Sequence, residues 1–309
     1  MGALRRGEQI MPDTAAVVRT KKALSARSFV WRPSRIATYA ILILGSLLMI
    51  MPLAWLVRSS LMDNSQIFIF PPQWIPDPFQ WSNYPEALTS VPFGKYFMNT
   101  FTIEVFVLAG VLLTSVITAY SLARLRWGGR NVVFAVILGS MMLPSAVTII
   151  PLFVIWRELD ALDSLVPLIV PAWFGSGAYI GQGAFQIFLL RQFFMTIPKE
   201  LDEAAYMDGG TPFAVLWRVV IPLSTPALLV VGIFTFIDVW NNFLEPVLYL
   251  NSERNFTLAL GLATFKGLYN AQWGYLMAAS MAMVAPIIML FFLGQRYFIE
   301  GITLTGIKG

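Results

Sequence analysis

Histidine and cysteine are both absent from the 309 residues, and only 12% of the chain is charged. Without cysteine there is no disulfide, thiolate metal site or thiol nucleophile; without histidine there is no His-based triad and no histidine-ligated zinc. Any chemistry is left to carboxylates, Lys, Ser or Tyr. The scarcity of charge excludes most soluble folds, because a water-facing surface needs roughly 25–35% Lys, Arg, Glu and Asp. What fills the chain instead is apolar: 57% hydrophobic residues and a mean hydropathy of +0.70. An all-α integral membrane protein is the expectation.

A helix needs about 20 mostly apolar residues to cross a hydrocarbon layer of about 30 Å. Six stretches qualify: about 36–57, 99–121, 132–155, 165–190, 225–244 and 275–298. The first carries no charge, and the second is interrupted only by Glu104. Pro144 and Pro151 lie in the third; Pro167, Pro171 and four glycines lie in the fourth, which is expected to be kinked. Such residues are tolerated where neighbouring helices satisfy the freed backbone groups, so a bundle is expected.

Placed on this frame, the 21 Lys and Arg divide sixteen to five. The larger set comprises the amino-terminal arm, Arg124, Arg126 and Arg130, then Arg191, Lys199 and Arg218, and finally Arg296 and Lys308. The positive-inside rule puts these in the cytoplasm with both termini. Residues 1–35 read as a basic, largely disordered cytoplasmic arm and residues 36–309 as a six-span domain. A signal peptide is disfavoured, since the basic part and the apolar run are both too long and no small-residue cleavage site follows.

Opposite the basic loops, the segment between the first two spans is rich in aromatics and proline, including Phe70, Trp74, Phe79, Trp81 and Tyr84, and reads as an interfacial anchor. Between the last two spans Asn251, Ser252, Asn255, Tyr269, Asn270, Gln272 and Trp273 suit a sugar, a docking protein or any hydrated loop. Within the spans, Asp238, Trp240, Asn241, Asn242 and Glu245 cluster on the fifth; Tyr179, Gln182 and Gln186 share roughly one face of the fourth. Rings with amides and carboxylates equip a carbohydrate path; hydrogen bonding between helices is the competing reading. Glu104 is expected to be paired or pore-facing.

The segment 191–222, RQFFMTIPKELDEAAYMDGGTPFAVLWRVVIP, is too long for a simple connection. Pro198 is expected to start a helix with Glu200, Asp202 and Glu203 in its first turns, where the helix dipole favours anions. Leu201, Ala204, Ala205 and Met207 follow helical spacing. Gly209 and Gly210 then stop the helix, Thr211 caps a second with Pro212 just inside, and Pro222 ends it. Two short helices would form a knob between spans four and five.

Glu203-Ala204-Ala205, Gly209 and, nine residues on, Val219-x-Ile221-Pro222 resemble the cytoplasmic EAA loop of permease subunits in binding-protein-dependent ABC importers. Asp208 before the glycine is also typical, whereas Val219 and Ile221 are apolar departures. Phe188–Phe194 running into Ile197-Pro198, Trp240–Phe243, Gln295–Phe298 and Gly306–Gly309 are similar to the MalG-like carbohydrate subfamily. The resemblance covers everything after about residue 35 and implies the type I ABC importer permease fold in a bacterial or archaeal cytoplasmic membrane. It implies a second, MalF-like permease subunit as heterodimer partner, a cytoplasmic ABC ATPase dimer and an extracytoplasmic solute-binding protein. Glu203, Ala204, Ala205, Asp208, Gly209 and Pro222 would couple to the ATPase, Glu203 by meeting a basic residue there; a solvated charge is the plainer reading of Glu203. ATP and Mg would belong to the partner, since no Gly-x-x-x-x-Gly-Lys-Ser/Thr occurs. No enzymatic site, cofactor, metal or nucleic-acid partner is expected. The solute would be a sugar or oligosaccharide, with a polyol or glycerol phosphate as alternatives. An ion-coupled secondary transporter predicts an internal repeat that is not found, and a membrane enzyme lacks a close carboxylate pair on one inward face.

Overall fold

The computed structural model describes residues 33–176, 182–267 and 271–306, and among these every regular element is helical. Residues up to Ala54 form one unit and residues from Trp55 onward a second. Helix α1 (Pro33–Ser60) begins in the first; the packing described below lies in the second. The principal helices that follow are α2 (Phe93–Ala123), α3 (Arg130–Ser140), α4 (Ser145–Glu158), α5 (Gln182–Thr196), α6 (Glu200–Met207), α7 (Thr225–Trp240) and α8 (Trp273–Gly306). Among the described residues three helices can, by length and composition, each cross a membrane alone: α1, α2 and the first 21 residues of α8. A fourth span results if residues 212–223 and α7, which meet at 78°, are one bent unit.

The third expected span is not one helix. At Met141, Met142 and Leu143 the amides bond three residues back instead of four, and Pro144 is extended with ψ 135°. Proline has no N–H to continue the ladder and drives the preceding residue out of the α region. The fourth also begins in pieces, Val166–Ile169 and a 3₁₀ turn Val170–Phe174 that ends at left-handed Gly175 with φ +77°, before α5. The basic arm up to residue 32, Tyr179, Tyr269 and Asn270 lie outside the described residues, as does the side chain of Gln182.

α2 is the central shaft. It packs on α5, on α7 and on the 3₁₀ turn, with Val107, Val111, Ala119 and Leu122 buried at helical spacing against Leu190, Phe194 and Val231. Lipid tails are as apolar as these side chains, so association depends on close contact more than on hydrophobic transfer. Gly110 shows this: a Cβ there would lie 2.9 Å from the Trp173 ring.

The loop regions opposite the knob are bound into the bundle. Asn83 Nδ2 donates to the Ser60 and Met62 carbonyls at 3.0 and 2.9 Å, and Gly274 N–H donates to Asn64 Oδ1 at 3.0 Å. Ala87 packs with Phe265, Ala278 and Ala279. Phe70 and Trp81, by contrast, stay exposed. Asp163 sits in the left-handed region (φ +54°) and accepts from the Asn251 and Ser252 amides, the Ser252 hydroxyl and Asn255 Nδ2. These bonds hold its carboxyl well below the usual range. The Ser252 and Asn255 side chains, read from sequence as suited to a sugar, a docking protein or a hydrated loop, are thus committed to Asp163, as is the Asn251 backbone amide.

Candidate functional site

The knob forms, with two adjustments. α6 spans Glu200–Met207, with Lys199 at the N-cap and no side-chain cap, so Pro198 precedes the helix instead of occupying its first turn. Its end is built as expected: Gly209 has φ +80°, Gly209 N–H donates to Tyr206 O at 3.0 Å and Gly210 N–H to Ala205 O at 2.8 Å. This paired closure satisfies two orphan carbonyls. The glycines are needed for different reasons. Gly209 takes a conformation that costs other residues about 1–2 kcal/mol, whereas a Cβ at Gly210 would fall 2.6 Å from the Ala205 carbonyl oxygen.

Thr211 caps the second helix, accepting from Ala214 N–H at 3.2 Å, with Pro212 in its first turn. Pro222 does not end it. The chain widens into a π-type turn over Leu216–Val220, Ile221 N–H reaches back to Leu216 O, and helix continues through Leu223. The wide turn accommodates a proline that cannot donate to the preceding turn. The break falls at buried Ser224, before α7.

Two residues at the end of α2 hold the knob, and neither carries a local signal in the sequence. Tyr120 Oη donates to Pro212 O at 2.9 Å. Arg124 Nη2 donates to Ile197 O at 2.7 Å, and its Nη1 lies 3.4 Å from Asp202 Oδ2, both side chains being almost wholly buried. Burial raises the Asp202 pKa against the opposing pull of Arg124. Asp202 is therefore an internal tether, not a first-turn charge facing water. The outer side of α6 presents Glu203 and Ala204, both exposed, and Met207, which is 88% exposed; Ala205 faces inward. Glu203 has no ion pair among the described residues. Asp208 is the C-cap residue and is exposed.

The intramembrane polar residues are mostly tied to one another. Gln186 Nε2 donates to Thr235 Oγ1 at 3.0 Å, Asn242 Nδ2 to Glu245 Oε2 at 3.1 Å, and Asn241 Nδ2 to Ile237 O at 2.8 Å. Trp240 is 2% exposed. Its indole N–H donates to Met283 O at 3.0 Å, and its ring stacks on Phe236 and meets Phe97 edge-on. Expected as a sugar-facing ring, it is a packing residue in this conformation, because the ring is buried against two aromatics and its donor is engaged. Glu104 is buried without a hydrogen-bond partner among the described residues, within electrostatic range of Asp238. Gln186 Oε1 is likewise buried and unbonded.

α2 thus joins two ends of the molecule. Its 31 residues reach roughly 46 Å at 1.5 Å per residue. At the far end Tyr96 Oη donates to Glu253 Oε1 at 2.9 Å, Asn99 Nδ2 to Arg254 O and Phe256 O, and Thr100 Oγ1 accepts from Leu258 N–H.

The chain is similar to known proteins. Residues 110–303 match the family described as the inner membrane component of binding-protein-dependent transport systems. The sn-glycerol-3-phosphate transport system permease protein UgpE of Yersinia pestis is 33% identical over 272 residues, covering 85% of this chain and 94% of that one. The diacetylchitobiose uptake system permease protein NgcG of Streptomyces coelicolor is 31% identical, covering 84% of each. Among solved structures, a bacterial ABC transporter involved in import of the acidic polysaccharide alginate aligns with a TM-score of 0.72 and 25% identity over 85% of this chain and 95% of that one. The chain is a multi-pass membrane protein with the type I importer permease fold, and it belongs to the family of binding-protein-dependent ABC transporter permeases.

Proposed function

We propose that this chain is a pore-forming subunit of an ATP-driven carbohydrate importer, with the 191–222 knob in the cytoplasm docked on an ABC ATPase. The observation that carries the reading is the construction of α6. Asp202 is anchored inward on Arg124, while Glu203, Ala204 and Met207 are left open on the outer side beside a glycine-built corner. A helix tethered on one side and unpartnered on the other fits a groove of a second protein, with Glu203 meeting a basic residue there.

In this reading ATP-driven closure of the ATPase dimer displaces α6, and the Arg124–Asp202 and Tyr120–Pro212 contacts transmit the displacement to α2 as a rigid-body tilt. The opposite end of α2 then shifts residues 253–258, opening one side of the path as the other closes. A solute-binding protein would deliver the solute to that opposite side, and a second permease subunit would complete the pore. ATP and Mg belong to the ATPase, because this chain has no phosphate-binding loop of the Walker type. The diacetylchitobiose and alginate systems among the similar proteins support a sugar or oligosaccharide, and the glycerol-phosphate permeases keep that smaller solute as the second reading. Glu104, Gln186 and Asp238 are the groups proposed to meet the solute when the helices part, since Glu104 and one Gln186 oxygen have no hydrogen-bond partner among the described residues in the packed state.

The test is Glu203→Gln and Gly209→Val in the reconstituted complex, reading ATPase activity and uptake together. Loss of uptake with ATP hydrolysis retained or uncoupled supports the docking role. Full uptake with both substitutions refutes it.

A further inference from the structure

Beside the knob, between the end of α2 and the start of α3, lies a cleft of about 660 Å³ whose lining includes Arg124, Arg126, Arg130, Arg191 and Lys199. Two carboxylates, Asp202 and Glu203, also reach it, but Asp202 is engaged by Arg124. Arg126, Arg130 and Arg191 have no carboxylate partner among the described residues. Two of them are held in place. Arg130 Nη1 donates to Leu125 O at 2.9 Å, and the Arg191 guanidinium lies 3.9 Å from the Phe134 ring centroid while its Nε donates to Leu122 O. Burial and the neighbouring charge of Arg130 both lower the Arg191 pKa, so these cations repel one another across a space that an anion would fill.

The surroundings identify the kind of anion. Arg126 and Arg130 also line an adjoining hollow of about 280 Å³ with Trp127 and Val132. Trp127 is 40% exposed, with its indole N–H fixed on Ser121 O at 3.2 Å. From that point α3 presents exposed Val132, Val133 and Val136 as one stripe. A cationic cleft that opens onto an interfacial tryptophan and an apolar helix stripe matches a molecule with a charged head and a hydrocarbon tail, as basic pockets at helix ends do for acidic lipids. Free phosphate would use the cleft but leave the stripe idle.

We infer that this cleft is a binding site for the phosphate headgroup of an anionic phospholipid, whose acyl chain lies along α3. The site needs a membrane boundary at residues 124–131, not a particular leaflet; of the residues given to ATPase docking only Glu203 also reaches the cleft, and the variants below leave it unchanged.

The test is native mass spectrometry of the full chain, purified with its co-expressed subunits in mild detergent, after addition of phosphatidylglycerol, phosphatidylcholine or inorganic phosphate. The expected result is preferential retention of phosphatidylglycerol. Retention should fall about five-fold in Arg126→Gln and roughly 25-fold in Arg126→Gln/Arg130→Gln, taking each basic residue at about 1 kcal/mol near an anionic lipid surface. Arg157→Gln, which removes an exposed arginine paired with Glu158, should leave it unchanged. Arg126 is exposed, so its single variant decides the matter even if the double variant fails to assemble. Equal retention in wild type and Arg126→Gln would overturn the assignment. So would inorganic phosphate binding to the same arginines and displacing the lipid, which would mark a free-anion site.

Discussion

The Arg124–Asp202 contact is the joint on which transmission through α2 depends, and its strength can be worked out. At 3.4 Å and an effective dielectric of about 20, two unit charges attract by about 5 kcal/mol. Desolvation of both groups offsets much of this. Removing one partner from a buried pair typically costs about 3–5 kcal/mol, because the other charge is stranded, whereas replacing both with apolar residues of similar size is close to neutral. Asp202→Leu alone should therefore lower stability by about 3 kcal/mol, and Arg124→Met alone by at least as much, since it also strands the Ile197 carbonyl. The double variant should recover most of the loss yet still transport poorly, because a charged, directional tether has become a slippery one. Equilibrium unfolding in mixed micelles gives the cycle, and the ratio of uptake to ATP hydrolysis gives the coupling. A coupling energy below about 0.5 kcal/mol, the level at which independent sites add, would refute the joint.

Three further outcomes follow from the same geometry. Gly209→Ala should destabilise the knob by about 1–2 kcal/mol through its positive φ, and Gly210→Ala by more because backbone must move away from the Ala205 oxygen; protease sensitivity of the 199–212 segment reads both. Gly261→Ala should lower the thermal midpoint, since its Cβ would lie 2.3 Å from the Tyr96 ring and would push that ring off its bond to Glu253. Asp163 has a depressed pKa in the folded protein, so its stabilising effect is complete above the unfolded value of about 3.9 and fades as pH falls through and below it. The difference in unfolding midpoint between wild type and Asp163→Asn should accordingly be constant from pH 5 to pH 8 and shrink below about pH 4.

Local signals survived into the structure where the backbone itself enforces them. Gly209 and Gly210 close α6 because one needs a left-handed conformation and the other close approach. The long apolar runs of α1, α2 and α8 became long helices, Glu104 notwithstanding in α2. Proline was ambiguous: Pro144 broke a helix that the hydropathy joined, while Pro222 was absorbed by a π-type turn and stopped nothing. Side-chain partners distant in sequence were illegible. Nothing near Asp202 points to Arg124, 78 residues earlier, and nothing near Asn251 or Asn255 points to Asp163. Trp240 misled because a tryptophan beside amides has the same local signature whether its ring faces a solute or, as here, Phe236 and Phe97.

The absence of cysteine makes the central claim directly measurable, because a single introduced thiol is unique in the chain. Met207→Cys places one at an 88% exposed position on α6, and Phe70→Cys places another at a 92% exposed position on a loop bound at the other end of the molecule. Labelling with a membrane-impermeant maleimide, with and without the co-expressed ABC ATPase, compares the two. Docking of α6 predicts that assembly protects position 207 and leaves position 70 unchanged, with a thiol cross-linker joining 207 to the ATPase. Equal labelling of position 207 in the presence and absence of the ATPase would contradict it.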